Sequence, residues 1–143
     1  MTIASILKHK GTAIAHVAPT DAVTAVARVL HEKRIGAVLV LDRTGQLMGI
    51  LSERDIVRHI AGHGPAALEM TAAQLMTRVL HTATRQTTVP EAMALMTERR
   101  VRHLPVIEDG QLLGIVSIGD VVKAHADLQA QEVDSLKAYV AGG

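Results

Sequence analysis

The sequence predicts an α+β fold made of two β-α-β-β-α repeats. The segment GILSERD at residues 49–55 returns as GIVSIGD at 114–120, and each copy follows a Gly-Gln-Leu lead. Such an internal repeat indicates one supersecondary unit used twice. The apolar strand segments show little alternation, so both of their faces need cover that one half alone does not supply. We therefore expect two half-domains packed sheet to sheet about a pseudo-two-fold axis, with a cleft between them.

Composition limits the classes of function. The 143 residues are 48% hydrophobic, with no Phe, Trp or Cys and one Tyr, Tyr139. An aliphatic core is expected, and disulfides and thiolate catalysis are excluded. With 15 Lys plus Arg against 14 Asp plus Glu, we expect no nucleic-acid partner. The apolar run at residues 3–7 is short for a secretory signal, and no run approaches the roughly 20 residues of a membrane span, so we expect a cytoplasmic protein with no membrane partner.

The first repeat is predicted over residues 1–66. Its elements follow the order helix, strand, helix, strand, strand, helix, at 2–8, 13–17, 21–33, 37–41, 47–51 and 53–61. Apolar residues at helical spacing make the segment 21–33 an amphipathic helix, and Thr20 or Asp21 can cap its start.

The second repeat is predicted over residues 67–128, in the same order. Its elements lie at 71–77, 79–83, 89–96, 104–107, 112–116 and from 118 onward. Thr71 and Gln74 have the spacing of a capping box, and Pro90 suits the first turn of a helix. Met93 and Met96 fall on the face of that helix that should be buried.

A helical extension is predicted over residues 129–143. Val133, Leu136 and Val140 form an apolar stripe at helical spacing. The first repeat has no counterpart of this stripe. It would pack back on the pair or meet another subunit.

Both hairpins end in Ser-x-x-Asp at the start of a helix, as Ser52 with Asp55 and as Ser117 with Asp120. Two interpretations are open. The spacing is that of a capping box, in which the serine and the acid satisfy backbone N–H groups. Alternatively the corner binds a ligand: a helix N-terminus suits phosphate, and an acid beside it is better explained by the neutral diol of a ribose. The duplication favours the ligand interpretation.

Four segments together resemble a known family. They are RIGAVLV at 34–40 with GILSERD at 49–55, and RVRHLPV at 100–106 with GIVSIGD at 114–120. On these segments the chain resembles a tandem cystathionine-β-synthase-type (CBS) domain pair, often called a Bateman module, over about residues 1–128. The resemblance implies two CBS half-domains that bind an adenosine nucleotide in the cleft between them.

The resemblance also implies roles for individual residues. The acid of each corner would hold the ribose diol, and the serine would lie near the phosphate. Residues that enter the first hairpin strand would complete the site, and the base would lie between aliphatic side chains such as Ile35, Val101 and Ile118. The candidate nucleotide-binding residues are Thr87, Val101, Arg102, His103, Ser117, Ile118 and Asp120 in the second repeat, with Gly36, Ala37, Ser52, Arg54 and Asp55 in the first.

The two predicted sites differ in charge. The second has a basic cluster of Arg99, Arg100, Arg102 and His103, whereas the first has Lys33 and Arg34 followed by the small residues at 36 and 37. Arg54 stands where the second motif has Gly119, and we expect it to reach across to a phosphate in the second cleft. Asp120 is therefore favoured as the higher-affinity site. Arg99 and Arg100 have a second interpretation, as solvated cations that complement a helix dipole.

No metal site and no catalytic cofactor are expected. His59 and His63 have i, i+4 spacing, but Gly62 and Gly64 are expected to end the helix between them, and no third ligand is near in sequence. The chain also has no nucleophile elbow and no Walker-type phosphate loop. An enzyme is therefore not expected.

The leading hypothesis is a non-catalytic regulatory sensor, a homodimer that binds AMP, or else ATP or NAD(H), and acts in trans on an unknown partner protein. The alternative is a ligand-independent dimerisation or scaffold module whose clefts are vestigial. Nucleotide titration separates the two, because a ligand selective for the native state raises its stability.

Overall fold

The secondary structure follows the predicted order through both repeats. The computed structural model describes residues 1–11, 13–78 and 81–142. Its helices are α1 (Ile3–Lys10), α2 (Val23–Lys33), α3 (Glu53–His63), α4 (Ala72–Leu75), α5 (Val89–Arg99) and α6 (Ile118–Gly142), with a 3₁₀ helix at Gly64–Glu69. Its strands are β1 (His16–Val17), β2 (Ala37–Leu41), β3 (Leu47–Ser52), β4 (His103–Glu108) and β5 (Gln111–Ser117).

By contacts the chain forms two compact units. Unit 1 comprises Met1–Thr12 with His81–Gly143, and unit 2 comprises Ala13–Leu80. This grouping differs from the predicted division at residue 66, because each repeat gives its opening helix to the other unit. In unit 1, Ile3 N donates to Thr87 O at 2.9 Å. In unit 2, Thr71 forms an isolated antiparallel β-bridge with Ala22.

Unit 2 contains a three-stranded sheet in the order β1-β2-β3. Strand β1 pairs with β2 in parallel, and β2 pairs with β3 in antiparallel fashion with Ala37 opposite Ser52. Val38, Leu39 and Val40 are fully buried, as predicted for strands that need cover on both faces. The core joins these strands to α2, α3 and α4 through aliphatic side chains.

Unit 1 contains the antiparallel pair β4-β5, with His103 opposite Ser117. Ala83 forms a parallel bridge to Val106, in the place that β1 has in unit 2. The predicted strand at 79–83 falls partly on Val79 and Leu80, which lie outside the described residues. Ile3, Ile6 and Leu7 of α1 are buried in the same core as Met96 of α5, so the first helix completes this unit.

Several local predictions are confirmed. Thr71 and Gln74 form the predicted capping box, with Thr71 N donating to Gln74 Oε1 at 2.9 Å. Pro90 lies in the first turn of α5. Met96 is 2% exposed and Met93 packs against the same cluster, as expected for the buried face of that helix.

Two local predictions are wrong. Helix α2 begins after Ala22 without a side-chain cap, because the Asp21 carboxylate accepts instead from the Ala18 N–H at 2.9 Å. Helix α3 does not end before His63. Gly62 continues the helix, and the chain turns only at Gly64, where φ is 70°.

None of the described helices combines the length and the hydropathy that crossing a bilayer requires.

Candidate functional site

The two Ser-x-x-Asp corners are built in the same way. Glu53 N donates to Gly36 O at 2.9 Å in unit 2, and Ile118 N donates to Arg102 O at 2.8 Å in unit 1. Each bond ties the first residue of the helix to the residue that precedes the hairpin. The structure therefore brings Gly36 and Ala37 beside the first corner, and it brings their counterparts, residues 102 and 103, beside the second.

The Asp55 corner is closed on itself. Asp55 Oδ2 accepts from Ser52 N at 2.9 Å and from Ser52 Oγ at 3.0 Å, and Asp55 N donates back to Ser52 Oγ at 3.2 Å. Asp55 Oδ1 accepts from Arg58, with Thr77 Oγ1 at 3.4 Å. Asp55 is only 6% exposed. Both carboxylate oxygens are thus engaged locally, as the capping-box interpretation predicts.

The Asp120 corner has the same capping box as the Asp55 corner, but different residues surround its carboxylate. Asp120 Oδ2 accepts from Ser117 N at 2.8 Å, and Asp120 N donates to Ser117 Oγ at 3.1 Å. Lys10 Nζ, from the last turn of α1, donates to the same Oδ2 at 2.7 Å and to Ile115 O at 3.0 Å. These bonds to Asp120 all fall on Oδ2, and the side chain is 26% exposed.

The Lys10 contact changes the acidity of Asp120. Burial of the carboxyl raises its pKa, but the hydrogen bonds from Lys10 and the Ser117 amide, together with the Lys10 charge, outweigh burial and hold the pKa below its usual 3.8. The carboxylate is therefore ionised at neutral pH, and it can accept hydrogen bonds but cannot donate them.

A cavity of about 620 Å³ lies between α1 and α6 in unit 1, and Asp120 is part of its wall. His9, Lys10 and Lys123 line it with cationic or titratable groups, and Asp127 lines it with a second acid. Apolar lining comes from Met1, Ile6, Ala124 and Ala130. The cavity thus offers an ionised acid, two ammonium groups and an aliphatic wall to one ligand.

The remaining candidates fall into different surroundings. Val101 and Ile35 are partly buried and pack against the two hydrophobic cores, and their predicted contacts with a base stay predictions. Thr87 Oγ1 accepts from Thr84 N at 3.0 Å and closes a turn.

Arg102 and Ile118 are exposed beside the Asp120 corner, and His103 is partly exposed there. Arg54 is exposed on the first turn of α3 in unit 2. Its predicted reach to a phosphate stays a prediction.

Sequence reasoning missed Lys10, which donates a hydrogen bond of 2.7 Å to Asp120 from 110 residues away. The signal was the basic run Lys8-His9-Lys10, whose last-turn position puts cations at the end of α1. Nothing in the sequence indicates that this end lies against the second corner, because that depends on α1 packing with the second repeat.

No group of three or more His, Asp or Glu side chains able to hold a metal ion occurs within residues 1–11, 13–78 and 81–142. The His59 and His63 rings stack on α3 with centroids 5.6 Å apart and planes 8° apart. The predicted absence of a metal site stays a prediction.

Comparison with known proteins identifies the repeats. The family model for the CBS domain matches this chain twice, over residues 11–62 and 72–127. A mitochondrial CBS domain-containing protein of Arabidopsis thaliana is 36% identical over 150 residues, which cover 99% of this chain and 73% of the relative. The mitochondrial location is that of the relative, and a cytoplasmic location stays a prediction for this chain.

Solved structures agree with the fold. The crystal structure of a CBS-domain containing protein from Agrobacterium tumefaciens is 40% identical and covers 87% of this chain and 92% of its own, with a TM-score of 0.84. A CBS domain protein from Pyrobaculum aerophilum, solved in complex with AMP, is 24% identical, with a TM-score of 0.74 and coverage of 84% and 89%. The predicted α+β architecture with tandem repeats is confirmed.

Proposed function

Because the chain belongs to the CBS domain family, we propose that it is a non-catalytic regulatory module that binds an adenosine nucleotide at the Asp120 corner. AMP is the proposed ligand, with ATP and NAD(H) as the alternatives in the same chemical class. The module acts as a homodimer on a partner protein in trans.

The observation that supports this proposal is the position of Asp120 on the wall of the α1–α6 cavity. Its Oδ2 is held by the Ser117 amide and by Lys10, while none of these hydrogen bonds falls on Oδ1. A ribose diol donates hydrogen bonds to such a carboxylate, as in dinucleotide sites. The volume of about 620 Å³ lies within the usual range for small-molecule sites, about 300–1,000 Å³.

The cations of the cavity support a charged ligand over a free nucleoside. Lys10 and Lys123 line the same cavity as Asp120, and an ammonium group is a common partner of phosphate. The aliphatic side chains of Ile6 and Ala124 would cover the base, which suits a chain without Phe or Trp. AMP, with which the relative from Pyrobaculum aerophilum was solved, has a ribose diol, a phosphate and a base.

Binding would act on α1. A ligand phosphate that takes the Lys10 ammonium competes with Asp120 for it, so the ligand weakens one ion pair between α1 and the start of α6. A ligand shifts a conformational equilibrium only by its differential affinity for the two states. Loss of this ion pair is the differential contact that we assign to signalling.

A thermal-shift titration of the full chain with AMP, ATP and NADH tests the proposal. We expect saturable stabilisation by at least one nucleotide, since a ligand of the native state must raise its stability. Asp120→Asn should weaken the affinity about tenfold or more, because hydrogen bonds to a charged group are worth about 1.5–3 kcal/mol. Asp134→Asn, the same change at an exposed position of α6, is the matched control.

The ligand-independent scaffold is the alternative outcome. If no nucleotide stabilises the wild-type protein, the sensor proposal is wrong and a dimerisation module is left. If nucleotides bind and Asp120→Asn binds them as well as Asp134→Asn does, the module senses nucleotides at another place.

A further inference from the structure

The outer face of α6 is apolar along most of its length. This helix runs for 25 residues, and its inner face buries Val121 and Ala124 in the unit 1 core. On a second face of the helix, turned away from Ala124, the side chains of Val122, Val133, Leu136 and Val140 are 49–69% exposed. Three of these residues belong to the predicted helical extension, so the structure leaves the predicted stripe without cover in this chain.

The spacing of this face is that of a coiled coil. The exposed residues at positions 122, 126, 129, 133, 136 and 140 are separated by alternating steps of four and three. This is the spacing of the a and d positions of a heptad repeat. The seam consists of Val122, Ala126, Gln129, Val133, Leu136 and Val140. At about 1.5 Å per residue it extends over roughly 27 Å.

The charges beside the seam indicate the occupant. With Val133 at a and Leu136 at d, Glu132 occupies g and Lys137 occupies the next e. In a parallel dimer each g residue faces the e residue five positions later on the other helix. Glu132 of one copy would therefore meet Lys137 of a second copy. The two-fold symmetry of the dimer would give two such ion pairs. In an antiparallel pair e faces e, so two Lys137 ammonium groups would repel.

We propose that the outer face of α6, from Val122 to Val140, pairs in parallel and in register with α6 of a second copy of this chain. The inference names the surface of the homodimer that is part of the proposed function, and it does not depend on which ligand is bound.

Sedimentation equilibrium of the full chain tests the surface. We expect a dimer for the wild type and a dissociation constant at least about tenfold larger for Leu136→Glu, because the exposed leucine leaves the seam and two negative charges enter it. Ser135→Glu adds the same charge next to the seam and should dimerise as the wild type does. Circular dichroism checks that both variants fold.

The outcomes separate the surface from the homodimer. A monomeric wild type overturns both. A wild-type dimer that Leu136→Glu leaves intact overturns the α6 surface, while the homodimer stands through another face.

Two further variants test the orientation. Glu132→Lys should weaken the dimer, and adding Lys137→Glu should restore it, because the swapped charges again meet across the parallel pair. The chain has no cysteine, so Val140→Cys gives one thiol per copy and should form an intermolecular disulfide when dissolved oxygen is the oxidant, whereas Ala138→Cys, outside the seam, should not. Failure of the charge swap to restore dimerisation, or equal cross-linking at both positions, contradicts the parallel register.

Discussion

The two Ser-x-x-Asp corners share a motif and a backbone, yet the hydrogen bonds among the described residues engage both carboxylate oxygens of Asp55 and only Oδ2 of Asp120. Asp55 is 6% exposed and receives bonds on both oxygens. Asp120 is held through Oδ2 and lines a cavity. The difference comes from neighbours: Arg58 and Thr77 complete the first corner, and Lys10 reaches the second from another repeat. Duplicated motifs therefore need not carry duplicated roles.

The glycines that precede the corners should give the largest difference. A Cβ on Gly49 would lie 2.7 Å from Met76 Sδ and 2.8 Å from the backbone oxygen of Thr77. A Cβ on Gly114 would meet only the flexible end of Leu7 that closely, at 2.9 Å. We expect Gly49→Ala to destabilise by about 3 kcal/mol and Gly114→Ala by about 1 kcal/mol, the range for overpacking. Urea denaturation measures both losses of stability, and equal losses would contradict the tighter packing around Gly49.

Removal of the acids should give an intermediate difference in stability. Asp55→Ala leaves the Ser52 amide and the Thr77 hydroxyl without their buried acceptor, so we expect a loss of about 2 kcal/mol in the free energy of unfolding. Asp120→Ala removes one cap and a half-exposed ion pair, so about 1 kcal/mol is expected. Chemical denaturation without nucleotide measures both values. A larger loss of stability for Asp120→Ala than for Asp55→Ala would contradict the larger structural role of Asp55.

The pH dependence of the second corner should be the smallest effect. The pKa of Asp120 is lowered in the folded state, so its contribution to stability is complete above the unfolded value near 3.8 and is lost as pH falls through the lower folded value. Lys10→Met should raise the pKa of Asp120, because burial then acts with fewer opposing bonds. A carbon-13 NMR titration of the carboxyl measures this, with Lys8→Met, exposed on the same helix, as the control. An unchanged pKa would show that the Lys10 contact does not form in solution.

Local patterns were sufficient for most of the fold. Apolar spacing and the turn Asp109-Gly110 predict the helices and hairpins within a few residues, because these signals act over short distances along the chain. The fold class, the repeats and the capping box at Thr71 follow from the same kind of evidence. The cap of α2 was missed because the Asp21 carboxylate turns back to Ala18 N, a choice between two local bonds that spacing does not decide.

The site was less predictable, because its neighbours come from distant parts of the chain. Sequence reasoning proposed both Asp55 and Asp120 as sugar ligands and favoured Asp120, and both carboxylates also cap their helices in the structure. That Asp120 lines a cavity depends on the packing of α1 against α6, which no residue spacing reveals. Lys10 belongs to the first repeat in sequence and to the second corner in space.

The exchange of opening helices has a consequence for synthesis on the ribosome. Helix α1 is made before unit 2, but Leu7 packs beside Gly114 and Lys10 bonds to Asp120, so these two contacts wait for residues made more than a hundred positions later. Contacts this far apart in sequence slow folding. We therefore expect α1 to complete its docking late in translation, after the residues around Gly114 and Asp120 have been made.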